Sequence, residues 1–222
     1  MAIRSNFEKS LNGLREDIKQ MAGMAREALS KSVKSLRTQN IELADEVIQN
    51  DKRINDFEEK INDKAILLIA KEQPLASDLR KIIVSLKISN DVERIADFAV
   101  NIAKTTKRIG KEKLVKPLIH VPQMSELVNQ MLTEAVDAYK YEDTKLAVKS
   151  SKIDDQVDEL YREAIKKLIK IVTEDPSQIE QVMQLSMVCR HLERAGDHVT
   201  NIAENTIYMV IPGVQCWVWI TI

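Results

Sequence analysis

Glycine, proline and aromatic residues are scarce in this 222-residue chain: five Gly, five Pro and 4% Phe, Trp and Tyr together. A β-sandwich or barrel of this length needs turn residues every few positions and strands rich in aromatics, so the composition argues against an all-β fold. Cysteine is almost absent. Cys189 and Cys216 make no disulfide framework, and a reducing cytosol is the expected compartment. An excess of basic charge is missing too: 33 Lys and Arg against 34 Asp and Glu leave a net charge of −1, which argues against a general nucleic-acid binder. No stretch reaches the roughly 18 apolar residues that span a bilayer. The start, "MAIRSNFEKSLNGLRED", lacks the apolar run of a signal peptide or membrane anchor. There is no Gly-rich phosphate loop, no G-x-S-x-G and no Walker sequence. The expectation is a soluble cytoplasmic protein without the signatures of common enzyme classes.

What is present is helical periodicity nearly everywhere, with 44% hydrophobic and 30% charged residues. The pattern predicts an all-α fold of six long helices. They span about 5–37, 41–71, 74–107, 123–141, 144–172 and from Pro176 onward. "KEQP" ends the second, because the residue before Pro74 resists the helical region. Pro176 suits the first turn of the last helix. The stretch "RIGKEKLVKPLIHVP" reads as a linker punctuated by Gly110, Pro117 and Pro122. Its lysines and arginines (Lys107, Arg108, Lys111, Lys113, Lys116) are read as solvated, with an acidic partner or a membrane surface as the rival reading. The expected division is a first repeat over 1–109, a linker over 110–122, a second repeat over 123–211 and an apolar tail over 212–222.

The two halves repeat each other. From 92–103 to 192–203, six of twelve positions are identical at an offset of 100 residues. "NDKRINDFEEKI" in the second helix corresponds to "SKIDDQVDELYREA" in the fifth, with Asp51 and Asn55 falling on Asp154 and Asp158 and Pro74 on Pro176. Two tandem three-helix bundles related by internal duplication follow from this order of matches.

One repeated feature is unfavourable for a helix by itself. Glu93, Asp97 and Asn101 stand four apart, and Glu193, Asp197 and Asn201 do the same. Like charges at that spacing destabilise a helix by roughly 0.2–0.5 kcal/mol a pair. On a wheel of about 100° per residue, Val92, Ala96, Ala99 and Ala103 fall opposite these acids, as do Leu192, Gly196, Val199 and Ala203. Asp51 and Asn55 lie beside the apolar stripe of their own helix, so each repeat can bring two oxygen-rich helices to one groove. A solvated face is the competing reading, with Arg94 and Arg194 neutralising Asp97 and Asp197 three residues on. Duplication of carboxylates and carboxamides alone favours an all-oxygen cation site. None of His120, His191 and His198 has Glu three residues before it, and no Cys-x-x-Cys occurs. Mg²⁺, Mn²⁺, Ca²⁺ and ferric iron are the cations that suit such donors. His198 is read as a surface histidine and Cys189 as core.

"NDVERIADFAVNIAK" and "RHLERAGDHVTNIAEN" resemble the paired E-x-x-x-D signatures of the PhoU family, and "EQPLASDLRKIIVSLKISNDVERIAD" and "IDDQVDELY" are similar to that family's segments. The resemblance covers about residues 5–210. It implies paired three-helix bundles in a homodimer, with multinuclear metal on the acidic faces: iron first, and Mg, Mn, Ca or Zn depending on preparation. Carried over by motif, the metal ligands would be Asp51, Asn55, Glu93, Asp97 and Asn101 in repeat one, and Asp154, Asp158, Glu193, Asp197 and Asn201 in repeat two. Asn55 stands where the second copy has Asp158, so the first site has one charge fewer and is expected to be the weaker. The resemblance further implies a non-catalytic cytoplasmic regulator that links the ATPase and permease of the phosphate ABC transporter to a sensor histidine kinase and keeps phosphate-starvation genes off. A carboxylate-bridged metal enzyme is the first alternative, opposed by the lack of a general base or nucleophile beside the acids. A metal-free helical scaffold is the second.

The ending "YMVIPGVQCWVWITI" departs from the family, whose members finish on a polar or basic tail. It places Trp217 and Trp219 in an uncharged run suited to an edge strand or to peripheral contact with a membrane, and a shifted reading frame would also produce it.

Overall fold

A computed structural model describes residues 2–115, 119–211 and 213. The unusual tail and Lys116 therefore lie outside the described residues, Gly213 excepted. Three long helices form the first bundle: α1 (Ala2–Thr38), α2 (Ile41–Glu72) and α3 (Ala76–Ile109). The second contains α4 (His120–Tyr141), α5 (Thr144–Ser151), α6 (Asp154–Glu174) and α7 (Ile179–Val210), with one 3-10 turn, Pro176–Gln178, before α7.

The turns are built by local chemistry. Asn40 caps α2 by accepting from the Leu43 N–H at 2.9 Å. Gln73, in the left-handed region at φ 45°, closes the same helix just ahead of Pro74. Asp143 accepts from the Lys145 and Leu146 N–H groups at the start of α5. Asp175 accepts from the Ser177 N–H, with Pro176 seated in the first turn.

Two boundaries differ from expectation. The fourth helix starts at His120, because Pro122 then falls in a first turn, where its missing N–H has no helical partner to lose. The connection shortens accordingly to residues 110–119. The fifth helix is interrupted, giving seven α-helices among the described residues where six are expected. Ser150 and Ser151 turn their hydroxyls back onto the Ala147 and Val148 carbonyls, at 2.8 and 3.0 Å. The backbone ladder tightens there, with the Ile153 N–H bonding Ser150 O at 3.2 Å.

The bundles pack through α1 against α4 and α3 against α7, each pair antiparallel. Lys19 pairs with Asp137 at 2.7 Å, Lys140 with Glu16 at 2.5 Å, and Asn129 donates to the Ser30 hydroxyl at 2.9 Å. Asp91 on α3 meets His198 on α7, and Phe98 meets His191. Positions 91 and 98 match 191 and 198 at the repeat offset, so the contacts are exchanged crosswise and the repeats are related by a pseudo-two-fold axis. One continuous core joins them, including Ile88, Ile95, Leu132, Val188 and Leu192.

A buried polar knot secures the junction of α1, α3 and α4. Tyr139 is fully buried and shares a 2.5 Å hydrogen bond with Ser85, while the Arg15 guanidinium stands over its ring at 5.9 Å. Burial pushes the phenol up to about 12. Glu142, in the left-handed region at φ 56°, accepts from Arg15 and, at 2.6 Å, from Lys81. Ser85 also donates to Lys81 O at 2.7 Å, so Tyr139→Phe orphans little. Its expected effect on a denaturant melt is a loss of about 1 kcal/mol.

Candidate metal centre

Each repeat presents an acidic groove between its second and third long helices. In repeat one, Asp51 on α2 and Glu93, Asp97 and Asn101 on α3 are half-buried, and Asn55 is exposed. Asn55 donates to Asp51 Oδ2 across 3.5 Å. Asp51 Oδ1 and Glu93 Oε2 are shielded from water without a hydrogen bond. Burial and then the Asp97 charge push the Asp51 carboxyl above its ordinary range. Burial, then Asp97, raise Glu93 as well, and Glu58 and Asp51 add to the effect. These three carboxylates therefore share one field.

Repeat two brings together four. Asp154 and Asp158 on α6 and Glu193 on α7 are half-buried, and Asp197 is exposed. Burial foremost, then the Asp197 and Asp158 charges, raise Asp154 from 3.8 to about 7. Glu193 is raised by burial and by Asp197 and Asp158, and Asp197, exposed as a residue, by the partial burial of its carboxyl at the groove and by Asp158. Asn101 and Asn201 lie a turn further along the same faces and bond to none of these carboxylates in the structure.

The neighbouring residues are arranged less symmetrically than the sequence suggests. Arg94 does bond Asp97, at 3.1 Å. Arg194 instead stacks over the Phe98 ring at 5.4 Å, because an aromatic face from α3 lies within its reach. His198 is not a simple surface histidine: it donates from Nδ1 to the buried Asp91 at 2.9 Å. Cys189 is buried, and burial pushes its thiol up to about 12. Lys107, grouped with the linker cations in the sequence, lies in the last turn of α3 and pairs with Asp45 at 2.5 Å. Glu58 and Asp155 contribute to the two fields although neither belongs to the repeated motif; Glu58 stands two helical turns after Asp51 on one face, a spacing that a wheel drawn through α2 reveals.

An all-oxygen donor set with shielded, unbonded carboxylate oxygens fits a hard cation. Among the described residues, no three His, Cys, Asp or Glu side chains are arranged to enclose one ion as they stand. Coordination would therefore require rotation of side chains at the groove.

The model of the PhoU domain family matches residues 18–106 and again residues 121–206. The chain belongs to the PhoU family. It is 37% identical over 208 residues to a phosphate-specific transport system accessory protein PhoU homolog of Clostridium acetobutylicum, covering 93% of this chain and 95% of that one. A homolog of the same description from Aquifex aeolicus is 41% identical over 201 residues, covering 90% and 91%. The crystal structure of PhoU from Pseudomonas aeruginosa superimposes with a TM-score of 0.87 at 33% identity, over 92% of this chain and 98% of that one. The PhoU domain therefore occurs twice, once in each bundle. No helix among the described residues is long and apolar enough to cross a membrane.

Proposed function

We propose that this PhoU-family chain is a non-catalytic accessory protein of phosphate uptake. It keeps the phosphate-starvation response off when phosphate is plentiful, linking the phosphate ABC transporter to a sensor histidine kinase at the cytoplasmic side. The observation that carries the reading is the doubled acidic groove within a fold whose relatives are named as accessory to phosphate-specific transport. The homodimer, peripheral contact with the membrane through its partners, and iron as the resident metal belong to the same proposal and rest on the family resemblance.

Two features support an adaptor that binds cations. Glu93, Asp97 and Asp51 in one repeat, and Asp154, Asp158, Glu193 and Asp197 in the other, supply only oxygen donors. A bound hard cation would neutralise each row and offset the like-charge repulsion along it. An adaptor also needs surface for its partners, and both hairpin tips expose apolar side chains: Ile66, Leu75 and Ile83 in repeat one, Ile169, Ile179 and Met183 in repeat two.

Deletion of the gene, with alkaline phosphatase assayed in phosphate-rich medium, tests the regulatory reading. The expected result is phosphatase near the level of starved cells, restored to repression by the wild-type chain. Repression that persists without the gene would overturn it.

A further inference from the structure

Repeat two departs from repeat one where α7 meets the start of α6. Position 196 is a glycine inside a 32-residue helix, and the matching residue of repeat one is the fully buried Ala96. A glycine within a helix is less favourable than alanine. A Cβ on Gly196 would lie 2.6 Å from Asp154 Oδ1 and 3.7 Å from Val157 Cγ1. The carboxylate of Asp154 thus occupies the space that a methyl group takes in the first repeat. Its Oδ1 is shut off from solvent and accepts no hydrogen bond.

The same carboxylate also differs from its counterpart in where it stands along its helix. α5 ends at Ser151, so Asp154 falls in the first turn of α6. Its counterpart Asp51 lies within the uninterrupted α2. Asp158 adds a further carboxylate where repeat one has Asn55.

We propose that Gly196 is a positioning residue that makes repeat two the tighter of two hard-cation sites, by seating the Asp154 carboxylate against α7 beside Glu193 and Asp197. The inference rests on the cation-binding reading above. It is tested with chelator-stripped full-length protein titrated with Mn²⁺, free ion being followed by electron paramagnetic resonance. Wild type is expected to show two classes of site. Gly196→Ala is expected to weaken the tighter class about 10- to 100-fold, and Ala96→Gly to leave it unchanged. Asp154→Asn should weaken the same class as much and add little on top of Gly196→Ala.

Thermal unfolding in chelator provides the second readout. Gly196→Ala should melt no lower than wild type, since alanine favours the helix and only a side-chain terminus has to move. A tight class unchanged in Gly196→Ala overturns the inference and leaves cation binding standing. A melt well below wild type overturns it as well, in favour of a purely structural glycine. Wild type that takes up no Mn²⁺ overturns the cation reading and this inference together.

Discussion

At about pH 8, Asp154→Asn is expected to stabilise the metal-free protein by about 2 kcal/mol, with a rise in melting temperature of about 4–8 °C. The Asp154 carboxyl is raised from 3.8 to about 7, first by burial and then by Asp197 and Asp158. The folded chain thus binds this proton more tightly than the unfolded chain. That advantage is complete below 3.8 and is lost as the pH climbs to about 7. The full shift corresponds to about 4 kcal/mol, reduced to about half because the groove is open to solvent. Asn keeps the shape and removes the charge, so the gain should fade as the pH falls toward 4. Asp197 and Glu193 are raised as well, first by burial and then by the Asp158 charge, joined for Glu193 by Asp197, so the whole groove favours protonation.

A bound hard cation reverses the sign. Wild type held with Mn²⁺ at about 100 times its dissociation constant gains about 2.7 kcal/mol. Asp154→Asn, with a weakened site, gains far less. Denaturant melts in chelator and in Mn²⁺, each at acidic and alkaline pH, measure all four corners. A substitution whose effect in chelator is the same at every pH would remove the electrostatic account of this groove. One whose sign is the same with and without the ion would remove the cation account.

Much of this arrangement is legible in the sequence. Glu93 and Asp97 stand a helical turn apart, and the spacing recurs at Glu193 and Asp197, so the duplication and both α3 and α7 faces can be read from the periodicity. Pairing Asp51 and Asp154 with those faces needs only the second repeat offset. Other features depend on atoms that meet only after folding. The α5–α6 break comes from two serine hydroxyls turning back on their own helix, which apolar periodicity does not register. Arg194 carries the same spacing to Asp197 as Arg94 to Asp97, yet a ring from α3 captures it. The role of Gly196 is visible only once the Asp154 carboxylate is placed beneath it.

Phe98→Ala is expected to cost about 3–4 kcal/mol in a denaturant melt, more than Tyr139→Phe. The ring is buried where the repeats meet. His191 stacks on it with centroids 5.7 Å apart and 25° between the planes, His198 lies at 5.7 Å, and the Arg194 guanidinium stands at 5.4 Å. Burial, then Arg194, Arg190 and Arg108, hold His191 below its ordinary pKa range, so a neutral ring is the form that packs here. Alanine would leave a void walled by two imidazoles and a cation, none of which collapses into apolar contact. Because the lost contacts join α3 to α7 across the pseudo-two-fold axis, the substitution should also loosen the coupling between the bundles. Probes of the two repeats are then expected to report separated transitions. Phe57→Ala is the comparison: its ring is half-buried on α2 under the Lys60 ammonium, at 4.6 Å, within repeat one. It should cost less than Phe98→Ala and leave the transitions coincident. A loss below about 1 kcal/mol for Phe98→Ala, with coincident transitions, would mean that the shared aliphatic core alone holds the two PhoU domains together.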